Sequence, residues 1–264
     1  MKLIISDLDG TMIHRSEYSK KTLETVEKLK NTKHTFTIAT GRHLNATRNI
    51  VKTFGIKHPV ICSNGAVIYD FNEEKVLFQR SLSIDTAFKI IDICESLNIG
   101  YLIYTTKIIY AGTQKAYEAF SSKVGTFNVT QLENEGMDSL VKQGMTKILV
   151  IEDNQDLLDQ LKEKLNQFTD ISFVQSQPSF LDIGHKDSNK GDALLRLKKM
   201  FNKDFEMTIA IGDQENDLKM IEVADIGIAI GSGHDHLKEK ADFVTQTYDN
   251  DGFSFAMHQY ILNK

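Results

Sequence analysis

The chain has 264 residues, 41% of them hydrophobic and 25% charged, with a formal net charge of −5. That suits one large domain or two modest ones, in the composition range of soluble globular proteins. The acidic balance argues against nucleic acid as a partner, and no apolar run approaches the roughly 18 residues of a membrane span. No leader pattern precedes the first apolar run, so a cytoplasmic protein is expected.

In chain order, apolar runs of strand length recur: LIIS (Leu3–Ser6), TFTIA around Ile38, PVICS around Ile61, KILVIE around Leu149, TIAIG around Ile211 and GIAIG around Ile228. Helical patterns lie between several of them. Leu23, Val26 and Leu29 share one stripe, as do Leu157, Leu158, Leu161 and Leu165, and Leu194, Leu197 and Phe201. Apolar strands alternating with helices predict an α/β fold with a parallel sheet covered on both faces.

The middle reads differently. YLIYTTKIIYAG, from Tyr101 to Gly112, predicts two short strands of mixed polarity turning near Lys107. Helices are expected over Asp85–Leu97 and Asp153–Gln167. The pattern suggests an inserted α+β domain with its sheet exposed on one face. Its joints fall in polar stretches near Ser81–Ser83 and His185–Asn189. The expected organisation is a core of residues 1–82 and 185–264, interrupted by an insert of residues 83–184. Cys62 and Cys94 stand far apart without a CxxC pattern, and are read as two buried thiols.

The core runs end in polar signals. DLDGT follows the first, Thr40–Gly41–Arg42 follows the second, and GDQEND closes the TIAIG run; Asn189–Lys190–Gly191 opens a helix. Ligands of open α/β sheets bind beyond the carboxyl ends of the strands, so these signals can converge. Asp7 and Asp9 are two residues apart, and on a strand such side chains share one side. Two like charges so placed imply a cation between them, or one carboxyl protonated for acid–base work.

Asp7, Asp9 and Asp213 offer hard oxygen ligands with no His or Cys among them. Few carboxylates with open positions suit Mg²⁺. Thr40 offers a hydroxyl, Gly41 a closely approachable backbone N–H, and Lys190 a point positive charge. This is the equipment of phosphoryl transfer. Asp7 is read as the nucleophile that forms an aspartyl-phosphate, and Asp9 as the acid/base that serves both half-reactions.

These residues resemble a known family. DLDGT (Asp7–Thr11), ATGR (Ala39–Arg42), SNGA (Ser63–Ala66), NKGDAL (Asn189–Leu194), GDQENDLKM (ending at Met220), and the tail pair ADFVT and NDDGF are similar to the motifs of haloacid dehalogenase (HAD) superfamily phosphatases, Cof-type class IIB. The resemblance spans nearly the whole chain. It implies a Rossmann-like core, with the insert acting as the α/β cap that reads the substrate. It implies Asp7 as nucleophile and Mg²⁺ ligand, Asp9 as acid/base and ligand through its carbonyl, and Asp213 as ligand supported by Asp217. The phosphate would be held by Thr40, Gly41, Lys190, Asn216 and the Leu8 N–H, with Arg42 and Asn64 lining the site. Two departures stand out: Ser232–Gly233 replace the usual Asn-Ala, and the segment before Lys190 lacks a proline.

The implied function is a Mg²⁺-dependent phosphatase of small phosphorylated metabolites: sugar phosphates, pyridoxal phosphate or flavin mononucleotide. A phosphosugar mutase and a non-enzymatic receiver-type phospho-acceptor are the alternatives; receivers lack an acid/base at the position of Asp9 and need no insert. His234 and His236, two residues apart, fall on different faces of a helix and read as solvated. Tyr101, Tyr104, Tyr110 and Phe120 read as sheet packing. Neither the oligomeric state nor the particular substrate can be read from the sequence.

Overall fold

Lys2–Ser6 supplies four consecutive buried residues after one lysine, which is the signature of a strand covered on both faces. In the computed structural model this strand, β1, sits inside a parallel sheet. The structure describes residues 1–14, 17–124, 129–132 and 134–263. Contacts divide the chain into two units: Met1–Arg42, Thr47–Leu77 and Asn189–Lys264 in the first, and His43–Ala46 with Phe78–Ser188 in the second.

The first unit begins with β1, α1 (Lys20–Lys30), β2 (Thr35–Ile38), α2 (Leu44–Phe54, in this unit from Thr47 on), β3 (Val60–Cys62), β4 (Val67–Asp70) and β5 (Lys75–Gln79, in this unit as far as Leu77). The second unit contains α3 (Ile84–Ser96), β6 (Gly100–Tyr104), β7 (Ile109–Ala111), α4 (Gln114–Val124), β8 (Val129–Gln131), α5 (Asn134–Gln143), β9 (Lys147–Ile151), α6 (Gln155–Leu165), β10 (Ile171–Gln177) and β11 (Phe180–His185). The chain then returns to the first unit with α7 (Lys190–Met200), β12 (Met207–Gly212), α8 (Leu218–Val223), β13 (Ile226–Ala229), α9 (Asp235–Lys240), β14 (Phe243–Val244) and α10 (Gly252–Met257).

The main sheet of the first unit has the order β14-β13-β12-β1-β2, and every pairing is parallel. Lys2 lies opposite Met207, and Leu3 opposite Thr35. Leu3, Ile4, Ile5, Ile38, Ile209, Ile211 and Ile228 are wholly buried, as a doubly covered sheet requires. β3 extends β2 through a parallel bridge from Ala39 to Ile61, then turns back into the antiparallel β4, which β5 flanks. All the parallel strands therefore end at one pole. Of the helices, α1 and α7 start at side-chain caps: Ser19 accepts from the Thr22 N–H, and Asn189 from the Asp192 N–H.

The sheet of the second unit has the order β10-β11-β9-β6-β7-β8. The predicted turn near Lys107 joins the antiparallel β6 and β7. One expectation is corrected. The sheet is packed on both faces: Ala87, Ile90, Cys94, Leu158 and Leu161 of α3 and α6 cover Tyr101, Ile103, Tyr110, Ile148 and Val150. Ala116 and Phe120 of α4 cover Leu102, Tyr104, Leu149 and Phe180 on the other. Tyrosine makes such a strand look half-polar, yet Tyr101 hides its ring and gives its hydroxyl to Glu95 at 2.8 Å. No described helix is long and apolar enough to cross a membrane.

Candidate active site

Three strands of the first unit hand their next residues to the same pole. Asp7 follows β1, Thr40 follows β2 by one residue, and Asp213 follows β12. Lys190 joins them as the first residue of α7, which Asn189 caps. Carboxylate oxygens of Asp7, Asp213 and Asp217 lie within 4.8 Å of one another, all three residues buried.

Lys190 is fully buried at the centre of this group. Its ammonium donates to Asp7 Oδ1 at 2.5 Å and to Asp217 Oδ1 at 2.6 Å. Burial works against the charge on Lys190, but Asp217 and Asp7 outweigh it and hold the pKa above the ordinary lysine value. Asp217 Oδ2 accepts from the Asp213 and Gln214 N–H groups at 2.9 and 3.1 Å. Asp213 receives the Thr11 hydroxyl at 3.0 Å on Oδ1 and the Gln214 amide at 3.0 Å on Oδ2. Asp7 Oδ2 carries no hydrogen bond among the described residues, and its carboxylate keeps one oxygen uncommitted.

Burial, then the Asp217 charge, push the Asp7 pKa well above the carboxylate range against the pull of Lys190. Burial and Asp217 raise that of Asp213 to about 6. Three carboxylates share one ammonium, and the excess negative charge is what a divalent cation would relieve. The donors are all oxygens of hard character, so the residues fit Mg²⁺ or a similar ion.

Asp9 behaves differently from the strand expectation. β1 ends at Ser6, and the chain coils so that the Thr11, Met12 and Ile13 N–H groups all point to the Leu8 carbonyl. The two-residue rule for strands therefore does not reach Asp9. Its carboxylate is half exposed and takes two bonds from Arg42, Nε at 2.7 Å and Nη2 at 2.5 Å. The Asp9 hydrogen bond and charge raise the Arg42 pKa although burial opposes it. Leu8 between the aspartates is buried, which anchors the turn. Gly10 completes it with φ +87°, and a Cβ there would meet Asp213 Oδ2 at 2.1 Å.

A second turn carries Asn64. Ser63, Asn64 and Gly65 are successive left-handed residues with φ of 50°, 53° and 95°. Such strain in two non-glycine residues persists only where the surroundings hold it, and it clusters at functional sites. Here the Ser63 N–H bonds the Arg42 carbonyl and the Asn64 N–H bonds the Thr40 carbonyl. The Asn216 amide reaches Asn64 Oδ1 at 3.0 Å, and a Cβ on Gly65 would fall 2.2 Å from the Asn189 carbonyl. Thr40, Asn64 and Asn216 are thus joined by hydrogen bonds, and Gly65 packs against Asn189, the residue before Lys190. Thr11, Gln214 and Gly65 were not singled out from the sequence. Thr11 and Gly65 stand inside quoted motifs, and Gln214 only shows its role through the folded loop. His234 and His236 are exposed, and His234 faces Glu215 at 3.7 Å.

Residues 4–257 match the haloacid dehalogenase-like hydrolase family. The chain belongs to that family. Among proteins similar to this hydrolase is the 5-amino-6-(5-phospho-D-ribitylamino)uracil phosphatase YitU of Bacillus subtilis, 27% identical over 98% of this chain and 97% of its own. A crystal structure from Thermotoga maritima is 30% identical, with a TM-score of 0.83 over 97% of this chain and 96% of that one. A structure described as a HAD subclass IIB sugar phosphatase superposes with a TM-score of 0.84 at 20% identity, over 98% and 99% of the two chains, and shows a shared fold.

Proposed function

We propose that this hydrolase is a Mg²⁺-dependent phosphatase of small phosphorylated metabolites, working through an aspartyl-phosphate on Asp7. The observation that carries the reading is the Asp7 carboxylate: Lys190 fixes one oxygen at 2.5 Å and the other is uncommitted. A buried carboxylate held by one edge is oriented for attack through the other.

Asp7, Asp213 and the Asp9 carbonyl would hold Mg²⁺, with Asp217 shaping the loop, and the ion supplies charge neutralisation at the phosphoryl oxygens. Lys190 adds a fixed positive charge, and Thr40, Gly41, Asn216 and the Leu8 N–H hold the remaining oxygens. In the first step Asp7 attacks phosphorus, the bond to the leaving oxygen breaks, and Asp9 protonates that oxygen. In the second, Asp9 takes a proton from water, the water oxygen attacks phosphorus, and phosphate leaves as the Asp7 carboxylate is restored. Arg42 holds Asp9 until substrate arrives, and Asn64 positions Asn216. Substrate choice is assigned to the inserted segment 83–184, and the core segments 1–82 and 185–264 to the chemistry. The names of the ribitylamino-uracil phosphatase and the sugar phosphatase favour a phosphorylated polyol or sugar.

The test is phosphate release from a panel of phosphorylated metabolites with Mg²⁺, with EDTA, and with Asp7→Asn. Release from a few compounds that disappears in both controls supports the reading. Isomerised phosphosugar without free phosphate would support a mutase instead.

A further inference from the structure

The pole opposite the candidate active site carries a second pocket. In the first unit β3 runs parallel to β2, so Lys57 to Pro59, which precede β3, lie at the amino ends of the strands. β4 is antiparallel to β3 with Val60 opposite Tyr69, which brings Asp70 and Phe71 to the same end. The last turns of α2 form the pocket's remaining side. The result is a half-open cavity of about 460 Å³ lined by Arg48, Lys52, Lys57 and Glu74 with Val51, Ile56 and Phe71. That volume is in the range of small-molecule sites.

Its chemistry is unlike the rest of this acidic chain. Three cations and one carboxylate line it, whereas the whole chain has a net charge of −5. The carboxylate, Glu74, is committed: it pairs with Arg48 and accepts the Tyr69 hydroxyl at 2.8 Å. Arg48 in turn lies 5.5 Å over the Phe71 ring, a cation–π contact that fixes the ring as a wall. Asn72 donates to the Lys57 carbonyl at 3.0 Å and fixes the rim. Val51 and Ile56 are buried and form an apolar floor. Among the described residues Lys52 and Lys57 make no ion pair. Both lysines are exposed, so their ammonium groups can reach an anion seated at the pocket mouth.

We propose that this pocket binds a small organic anion with a flat ring, of the nucleotide class, at a site separate from the catalytic aspartates. The ring lies on the apolar floor beside the Arg48–Phe71 pair, and the phosphates meet Lys52 and Lys57. This assignment does not depend on the proposed phosphatase activity.

The test is calorimetric titration of the full chain with ADP, in the presence of EDTA, with adenosine as the uncharged comparison. Wild type should saturate with a Kd below about 1 mM, and adenosine should bind at least about tenfold more weakly. The double variant Lys52→Glu/Lys57→Glu should lose at least about tenfold in affinity while keeping its melting midpoint. Phe71→Leu keeps an apolar wall without an aromatic face and should weaken binding independently. Hydrogen exchange with ADP should slow over residues 48–57 and 71–74. No saturation by about 5 mM ADP, equal binding of adenosine, unchanged affinity in the charge-reversed variant, or protection confined to the segments around Asp7 and Asp213 would each overturn the proposal.

Discussion

The Lys190 ammonium, with no exposure to solvent, donates to Asp7 Oδ1 at 2.5 Å. The same nitrogen meets Asp217 at 2.6 Å, so one lysine is the counter-charge for two buried carboxylates. Removing it leaves them uncompensated. Lys190→Met should lower stability by about 3–5 kcal/mol, the cost of breaking a buried pair. Turnover should fall by about a hundredfold or more, because the phosphoryl charge loses a fixed partner. Denaturant melts and phosphate-release rates check both, and a variant as stable and active as wild type would contradict the assignment.

Asp7 and Asp9 separate into two chemical roles, and their variants should differ in kind. Asp7→Asn should abolish turnover while leaving the fold intact; residual activity within about tenfold of wild type would exclude it as the nucleophile. Asp9→Asn should slow turnover by about 10²–10⁴-fold, the usual worth of general acid–base catalysis. Dephosphorylation should then lag, and acid-quenched samples should show a phosphoryl adduct on Asp7 by peptide mass spectrometry.

The cluster of Asp7, Asp213 and Asp217 should respond to a cation even without substrate. Mg²⁺ should raise the melting midpoint, with about 3 kcal/mol gained at a hundredfold excess over its Kd. EDTA should return the midpoint to its starting value and stop phosphate release. Asp213→Asn should blunt the shift. A melting curve indifferent to Mg²⁺ in wild type would remove the metal from the proposal.

A pH effect is expected from His43 in the second unit. Its Nε2 meets the Thr105 carbonyl at 2.8 Å, so Nε2 carries the proton and Nδ1 accepts the Asn45 N–H at 3.2 Å. Burial, only partly offset by the Thr105 bond, lowers its pKa from 6.5 to about 4. The folded state therefore binds fewer protons than the unfolded one between these values. Stability from His43 is complete above pH 6.5, declines as pH falls, and is lost below about 4, at a total of about 3 kcal/mol. His43→Gln should flatten this limb in melts recorded from pH 7 to 4; an unchanged acid limb would rule His43 out as its source.

Much of the core was legible because its signals are local. LIIS, TFTIA and TIAIG are continuous apolar runs, and each is followed within two residues by a chemistry-bearing side chain. The cap at Asn189 also announces itself, through Asp192 three residues on. The bond between Lys190 and Asp217 was not readable, since it joins a helix start to a loop 27 residues away. Nor was the turning of Asp9 toward Arg42. That follows from the tight coil around the Leu8 carbonyl, which no periodicity reports. The insert's sheet was misread as open on one face. Tyr101 and Tyr110 count as half-polar in a pattern, but each buries its ring and bonds its hydroxyl, to Glu95 and to Ser139.

The pairing of β1 with β12, Lys2 opposite Met207, governs how this protein is made. During synthesis β1 leaves the ribosome about 200 residues ahead of the strand that flanks it on one side. At about 5–20 residues per second that wait lasts on the order of ten to forty seconds. Leu3, Ile4 and Ile5, which the finished sheet covers completely, cannot gain their full cover before β12 emerges, although β2 can pair with β1 earlier. The second unit is almost one continuous stretch, Phe78–Ser188, and can close within that wait. The sheet that presents Asp7 therefore cannot be completed until the whole second unit has been translated, although Asp7 itself is encoded well before it.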